Sequence, residues 1–242
     1  MPQFIAVVPA RKGSKGIPNK NPLLFDRTID FIESLGFFDE IVVTTNDEQV
    51  AAMAARRKCR VHIRPDETAV STAPIKPAFE TMTSALGLPA DAYLWLFYIP
   101  FVFRDAADFH AAKAIIDQQR PSSISTFVPA ATHPFRCWGQ DKVTGKMFKF
   151  CDSEKVSRQD FPDAWANHHY IYCIRADALD SVNGNLLGPD TTPIYYTSAQ
   201  AERLIELDEM SDVQEWAHRY PEDYAVWWHA LPADQRIGPS PE

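Results

Sequence analysis

The stretch VVPARKGSKGIPNKN, residues 7–21, decides how this chain folds and what it can hold. It overlaps the apolar run 4–8, which is too short for a helix and rich in β-branched residues, as central strands are. Gly13 and Gly16 allow a turn with backbone N–H groups facing inward. Four cations lie in the same turn: Arg11, Lys12, Lys15 and Lys20. The pattern is neither GxxxxGK[ST] nor GxGxxG, which disfavours kinases and dinucleotide-binding proteins. It predicts a polyphosphate site.

The composition narrows the function classes. The chain has 242 residues, 45% of them hydrophobic, and a net charge of −8 with a pI near 5.4. An acidic chain without a basic face argues against nucleic-acid binding. The four cysteines form no CxxC pair, so neither a zinc site nor a disulfide framework is indicated. We find no signal-peptide pattern and no apolar run that could cross a bilayer, and we expect a soluble cytoplasmic protein that does not bind membranes.

Strand and helix patterns alternate through the first half, which predicts an α/β fold with a mainly parallel central sheet flanked by helices. We expect one domain over residues 1–242. In its first half we predict a helix at 29–35, a second helix capped by Asn46-Asp47 and a third at 76–86. Between about 129 and 167 the pattern changes to short segments rich in aromatic residues, which predicts a small projecting arm with a hairpin at 141–146. Later we predict a strand at 203–207, a helix at 211–219 and a loosely held tail from Pro232.

The opening stretch resembles the signature of cytidylyltransferases that activate acidic sugars, the acylneuraminate (CMP-sialic acid) and CMP-Kdo synthetase family. The resemblance implies a nucleotide-diphospho-sugar transferase-like, Rossmann-like fold and transfer of CMP from CTP with release of pyrophosphate. It implies nucleotide binding by Pro9, Ala10, Arg11, Gly13, Ser14, Lys20, Asn21, Arg64 and Thr72. Among these, it implies that Arg11 and Lys20 hold the triphosphate and that Asn21 lies close to the cytosine. Without the resemblance, the same residues allow interpretations other than nucleotide binding. The loop could be a solvated Gly/Lys loop, Asn21 could cap a helix, and Arg64 could form a surface ion pair.

The carboxyl-terminal stretch IELDEMSDVQEW, residues 205–216, resembles the acidic element of the same family. The resemblance places Glu206 and Asp208 as ligands of Mg²⁺, and it makes Arg11, Lys20 and Asp208 the catalytic residues. Alternating positions on a strand put both carboxylates on one face, and oxygen ligands beside a triphosphate suit Mg²⁺. The alternative is an exposed strand end before a capped helix. Glu206 stands where the family has aspartate, which changes the reach of the carboxylate.

The acceptor region departs most from the family. Residues 95–104, WLFYIPFVFR, replace a polar segment like LLQPTSPLR and keep Arg104. The stretch SRQDFPDAWANHHYIY, residues 157–172, resembles a second family element. The candidates for gripping an anionic acceptor are Arg104, Arg158, Gln159 and His168. Because adjacent strand residues face opposite sides, only one of His168 and His169 is expected to face ligand, and either could simply be packed.

The resemblance implies a 3-deoxy-ulosonic or nonulosonic acid as acceptor, and the altered segment leaves another acid, such as a phosphonate, open. The rival class is a nucleotide-binding relative without turnover. A kinase would lack its loop signature here. The resemblance also implies a homodimer in which the arm reaches the partner's pocket, although its aromatic residues could instead cover their own core.

Overall fold

The computed structural model describes residues 2–70, 72–155 and 157–241. The strands are β1 Phe4–Pro9, β2 Glu40–Thr45, β3 Arg60–Ile63, β4 Tyr93–Leu96, β5 Ser123–Pro129, β6 Trp138–Gln140, β7 Met147–Lys149, β8 Trp165–Arg175 and β9 Thr191–Tyr195. The α-helices are α1 Lys20–Leu35, α2 Glu48–Arg56, α3 Lys76–Leu86, α4 Ala106–Gln119, α5 Ser198–Ala201, α6 Met210–Arg219 and α7 Pro221–Ala230. Short 3₁₀ helices include Arg158–Asp160 and Ala176–Ser181.

Seven strands form one sheet in the order β3-β2-β1-β4-β8-β5-β9. Only β8 runs antiparallel to its neighbours among the paired strands of this sheet in the described residues. The central strands β1 and β4 are buried along their whole length, as strands covered on both faces must be. The predicted α/β fold with a mainly parallel sheet is therefore confirmed.

Helices cover both faces of the sheet and make two separate cores. On one face α1, α4 and α6 bury side chains such as Phe25, Phe109 and Trp216. On the other face α3 and the 3₁₀ helix Ala176–Ser181 bury Phe79 and Leu179 against the sheet. Because the connections between parallel strands cross over the faces, the loops that carry polar side chains collect at the carboxyl edge of the sheet.

Local signals explain where the first helices begin and end. The structure starts α1 at Lys20, well before the predicted residue 29, and a left-handed Gly36 with φ 67° ends it. The predicted cap of the next helix is confirmed, since Asp47 accepts hydrogen bonds from Gln49 N and Val50 N. The early start of α1 puts Lys20 in the first helical turn, beside the Gly/Lys loop.

The predicted strand at 203–207 is wrong. The described backbone there makes one isolated bridge, between Phe101 and Glu206, and no ladder. Sequence reasoning also missed β9 and α7. The prediction of a loosely held tail from Pro232 is wrong for residues 237–239. The Tyr224 hydroxyl lies 2.9 Å from the carbonyl oxygens of both Ile237 and Pro239.

The predicted arm is a separate element. Within it β6 and β7 pair as an antiparallel hairpin, apart from the main sheet. His133, Phe135 and Phe161 pack together at its base, whereas Trp138, Phe148 and Phe150 remain exposed. In the described part of the chain, no helix has the length and apolar character needed to cross a membrane.

Candidate functional site

A cleft of about 280 Å³ opens at the carboxyl edge of the sheet, beyond β1, β3 and β4. Residues from several loops line it: Pro9, Arg11, Ser14, Lys20, Asn21, Arg64, Val70, Ala73, Pro74, Ile75, Tyr98, Pro100, Asn185 and Glu206. These loops come from the amino-terminal third, the strand β4, the return after β8 and the segment before α6. The cleft therefore joins parts of the chain that lie far apart in sequence.

Hydrogen bonds hold the loop 10–21 in place along one side of this cleft. Asn21 Nδ2 donates to Arg11 O at 2.8 Å, and Thr45 Oγ1 donates to Ala10 O at 2.5 Å. On the outer side, Lys12 N donates to Asn46 Oδ1 at 2.8 Å. Gly13 adopts φ +81°, the left-handed region that other residues avoid. These bonds tie the loop to its neighbours, while Lys12, Gly13 and Lys15 remain exposed.

Two guanidinium groups face the cleft without a carboxylate partner. The Arg64 side chain is buried, with 5% exposure, and donates to Thr68 Oγ1 and to Thr68 O. Burial lowers the pKa of Arg64, and the nearby charge of Arg11 lowers it further, while Tyr98 acts in the opposite direction. No ion pair of Arg11 or Arg64 exists within residues 2–70, 72–155 and 157–241. Since buried positive charge is costly without a counterion, this pair favours an anionic ligand.

Lys20 joins the loop to the acidic segment 206–208. Its ammonium group donates to Leu207 O at 2.5 Å and to Asp208 Oδ1 at 2.9 Å. The Lys20 side chain is 10% exposed and that of Asp208 is 70% exposed, so Asp208 keeps an accessible face. A Cβ atom on Gly16 would lie 1.9 Å from Asp208 O, which shows how closely the loop approaches this segment. The cationic loop 10–21 and the acidic segment 206–208 therefore meet at one place.

The acidic side of the site is formed by Glu206 and Asp208. Burial within the cleft raises the pKa of Glu206, and the charge of Asp208 raises it further. Asp212 Oδ2 accepts hydrogen bonds from Asp208 N and Glu209 N, both at 2.7 Å, which fixes the turn into α6. The described residues hold no cluster of three metal-ligating side chains. Glu206 lines the cleft, whereas Asp208, which bonds to Lys20, does not. Carboxylate oxygens are the donor type that Mg²⁺ takes in proteins.

The structure brings together most, though not all, of the predicted nucleotide-binding residues. Pro9, Arg11, Ser14, Lys20, Asn21, Arg64 and Glu206 line the cleft. Ala10 is buried behind the loop, and Gly13 lines a separate depression of about 480 Å³ on the side of α2. Thr72 does not line the cleft, whereas its neighbours Val70 and Ala73 do. Lys20 was predicted to hold the triphosphate, but two of its three N–H groups bond to protein.

Sequence reasoning missed Tyr98 and Asn185 as cleft residues. Burial raises the pKa of Tyr98 to about 12, with Glu206 adding to the rise and Arg64 opposing it. Tyr98 lines the cleft together with Arg64 and Glu206. The sequence did give one signal for Tyr98, since this residue stands in the segment 95–104 where the family has polar residues. Asn185 belongs to no motif in the sequence and gave no signal.

The four predicted acceptor residues do not line the cleft. Arg104 donates to Tyr98 O at 2.8 Å and lies 5.7 Å from the Phe31 ring centre, in a separate cavity beside α1 and α7. Burial and the charge of Arg27 lower its pKa to about 9. Its guanidinium braces the chain after β4 against α1, so a direct grip on the acceptor is not what this geometry supports.

The other three candidates occupy β8 and the arm. His168 packs its ring 5.1 Å from that of Phe101, and its Nδ1 atom is buried without a partner among the described residues. His169 faces the other side and packs against Tyr98, as strand alternation predicts. Arg158 and Gln159 lie on the arm's 3₁₀ helix, away from the cleft of the same chain.

Comparisons with known proteins show which proteins the chain is similar to. Residues 5–84 match the family model described as cytidylyltransferase. The chain is 37% identical over 95 residues to the N-acylneuraminate cytidylyltransferase of Escherichia coli O18:K1:H7 (strain RS218 / NMEC), which covers 37% of this chain and 22% of that protein. It is 26% identical over 209 residues to the post-translational flagellin modification protein B of Campylobacter coli, covering 78% of this chain and 85% of that protein.

A solved structure shows the same fold. The structure described as CMP:2-keto-3-deoxy-manno-octonic acid synthetase complexed with CTP superposes with a TM-score of 0.62 at 10% identity, over 91% of this chain and 99% of that one. At this identity the likeness concerns the fold. Together the matches confirm the resemblance that the loop predicted and the nucleotide-diphospho-sugar transferase-like architecture.

Proposed function

We propose that this relative of the cytidylyltransferases transfers CMP from CTP to an anionic acceptor sugar, of the 3-deoxy-ulosonic or nonulosonic acid class, and releases pyrophosphate. The observation that carries the proposal is one cleft lined by Arg11, Lys20, Arg64 and Glu206. Asp208 is bonded to Lys20 beside this cleft. The amino-terminal match to cytidylyltransferases supports the choice of reaction.

The cationic wall would act on the phosphates. Arg11 and Arg64 lack protein counterions within the described ranges, so they are free to form charge-assisted hydrogen bonds with triphosphate oxygens. The acceptor hydroxyl releases its proton to water as its oxygen forms a bond to the α-phosphorus, and the bond from that phosphorus to the bridging oxygen of pyrophosphate breaks. Fixed positive charge stabilises the departing pyrophosphate, and because the loop is already bonded in place, little reorganisation is needed.

Glu206 and Asp208 would hold the Mg²⁺ ion that the family resemblance implies. When bound, Mg²⁺ polarises the α-phosphate and lowers the pKa of the attacking hydroxyl. Lys20 fixes the Asp208 carboxylate by bonding one of its oxygens and leaves the other side exposed. Lys20 therefore serves as a positioning residue that ties the acidic segment to the phosphate loop.

The acceptor would be held by a homodimer. The cleft carries none of the predicted acceptor-binding cations, while Arg158 and Gln159 lie exposed on the arm. The exposed aromatic residues Trp138, Phe148 and Phe150 suit a buried contact. In this proposal the arm brings Arg158 and Gln159 to the partner's cleft. A cytoplasmic location, which the four free thiols support, completes the proposal.

The test is a phosphorus NMR screen of purified protein with CTP, Mg²⁺ and a panel of acceptors. The panel contains ulosonic and nonulosonic acids, neutral sugars and phosphonates, because Tyr98 gives the cleft an altered wall. A new CMP ester with an equal amount of pyrophosphate supports the proposal. Tight CTP binding without any ester across the panel would favour a nucleotide-binding relative without turnover.

A further inference from the structure

Two asparagines line the cleft, and their side-chain amides differ in what they are free to do. The Asn21 amide donates to Arg11 O at 2.8 Å and so helps to hold the phosphate loop. The Asn185 side chain has no hydrogen-bond partner in the part of the chain that the structure describes; the bonds of this residue involve its backbone. A free amide in a cleft offers one donor and one acceptor to a ligand.

The loop 183–188 that carries Asn185 is held in place from two sides. His169 Nε2 donates to Asn185 O at 3.1 Å, which requires the proton on that nitrogen. The His169 ring is packed 5.8 Å from Tyr98 and 5.5 Å from Tyr172, and burial lowers its pKa, so it stays neutral. From the other side, Lys76 N donates to Gly184 O at 3.1 Å. Asn185 is therefore presented at a defined position.

The wall beside Asn185 suits a flat ring. Val70, Ala73, Pro74 and Ile75 line the cleft next to this loop and offer apolar contact. A Cβ atom on Gly184 would lie 2.9 Å from the Pro74 side chain, so the loop and this wall are in direct contact. Arg11 and Lys20 lie instead on the phosphate loop. A nucleotide whose phosphates meet the cations would place its base against the apolar wall.

We infer that Asn185, positioned by His169, contacts the edge of the pyrimidine base with its side-chain amide. This inference rests on the proposed function, since it names the base contact of the same site. It assigns to Asn185 the role that sequence comparison gave to Asn21. A carboxylate at this position would only accept hydrogen bonds, so it would favour the exocyclic amino group of cytosine over the carbonyl oxygen of uracil.

The test measures binding of CTP, UTP and inorganic tripolyphosphate to the full-length protein by calorimetry. We expect Asn185→Ala to weaken CTP binding about tenfold, as loss of one shielded hydrogen bond does, and to leave tripolyphosphate binding within twofold. Asn185→Asp should raise the ratio of CTP to UTP affinity, while Gln118→Ala on the exposed surface of α4 should change nothing.

His169→Phe keeps an aromatic ring and removes the donor to Asn185 O. It should weaken CTP binding about threefold, and combining it with Asn185→Ala should add little, because the two residues act through one contact. Unchanged CTP affinity in Asn185→Ala, or equal losses of CTP and tripolyphosphate, would overturn the inference while leaving the proposed function standing. Failure of the unsubstituted protein to bind CTP would overturn both.

Discussion

Replacing Gly16 with alanine separates the two charged halves of the site. A Cβ atom there would lie 1.9 Å from Asp208 O and 3.0 Å from Asp208 C, whereas ordinary contact begins at 3.4 Å. The loop and the acidic segment must therefore move apart by about 1.5 Å, the difference between 3.4 and 1.9 Å. Such a shift stretches both bonds of Lys20, to Leu207 O and to Asp208 Oδ1. Displacements of this size cost on the order of 100-fold in rate.

The assay is pyrophosphate release from CTP with the acceptor that the NMR screen identifies. We expect kcat/KM of Gly16→Ala to fall about 100-fold, together with about 1–3 kcal/mol of stability from the steric strain. Gly87→Ala is the matched control, because Gly87 has φ +61° and open space around it, far from the cleft. It should lose about 1 kcal/mol of stability and keep its kcat/KM. A folded Gly16→Ala protein with full activity would refute the reasoning.

Three further predictions concern single side chains. Lys20→Met should lose about 2 kcal/mol of stability in urea unfolding, because Leu207 O and Asp208 lose a charged donor. It should also weaken CTP binding in calorimetry. An unchanged urea midpoint would contradict the role of Lys20 in joining the loop to the acidic segment. Arg64→Met should weaken tripolyphosphate binding about tenfold in calorimetry, since a guanidinium without a counterion is removed; equal affinity would place the phosphates elsewhere. Burial lowers the pKa of His168 from 6.5 to about 4. As the pH falls, the unfolded state therefore binds a proton at His168 before the folded state does. At most about 3 kcal/mol of folding stability is lost between pH 6.5 and pH 4. Urea unfolding of His168→Phe, which keeps the ring contact with Phe101, should show a smaller loss over that range, and an identical loss would contradict this assignment.

Local patterns were enough to predict the first half of the fold. The buried run of β1, the cap at Asp47 and the helix Lys76–Leu86 follow from burial, capping and periodicity that act over a few residues. The segment 203–207 misled because its apolar and polar residues alternate as in a strand, yet its backbone meets a partner only at Phe101. A ladder needs a neighbouring strand, which a local pattern does not report.

For the candidate site, too, local sequence patterns predicted one part and missed another. The cation-rich turn at 10–21 was predictable because its glycines and cations are adjacent in sequence. Arg104 was misplaced because a retained residue type does not determine where a side chain points, and here it bonds to Tyr98 O. Asn185 could not be found, since it reaches the cleft only through the packing of its loop against Pro74 and the bond from His169.

The central claim is that the cationic loop and the acidic segment meet across one nucleotide. A crystal structure of the protein with CTP and Mg²⁺ tests it most directly. The account predicts triphosphate oxygens within hydrogen-bond distance of Arg11 and Arg64, and a metal ion about 2.1 Å from an oxygen of Asp208. A nucleotide bound in the cavity between α1 and α7, or a metal ion away from Glu206 and Asp208, would contradict it.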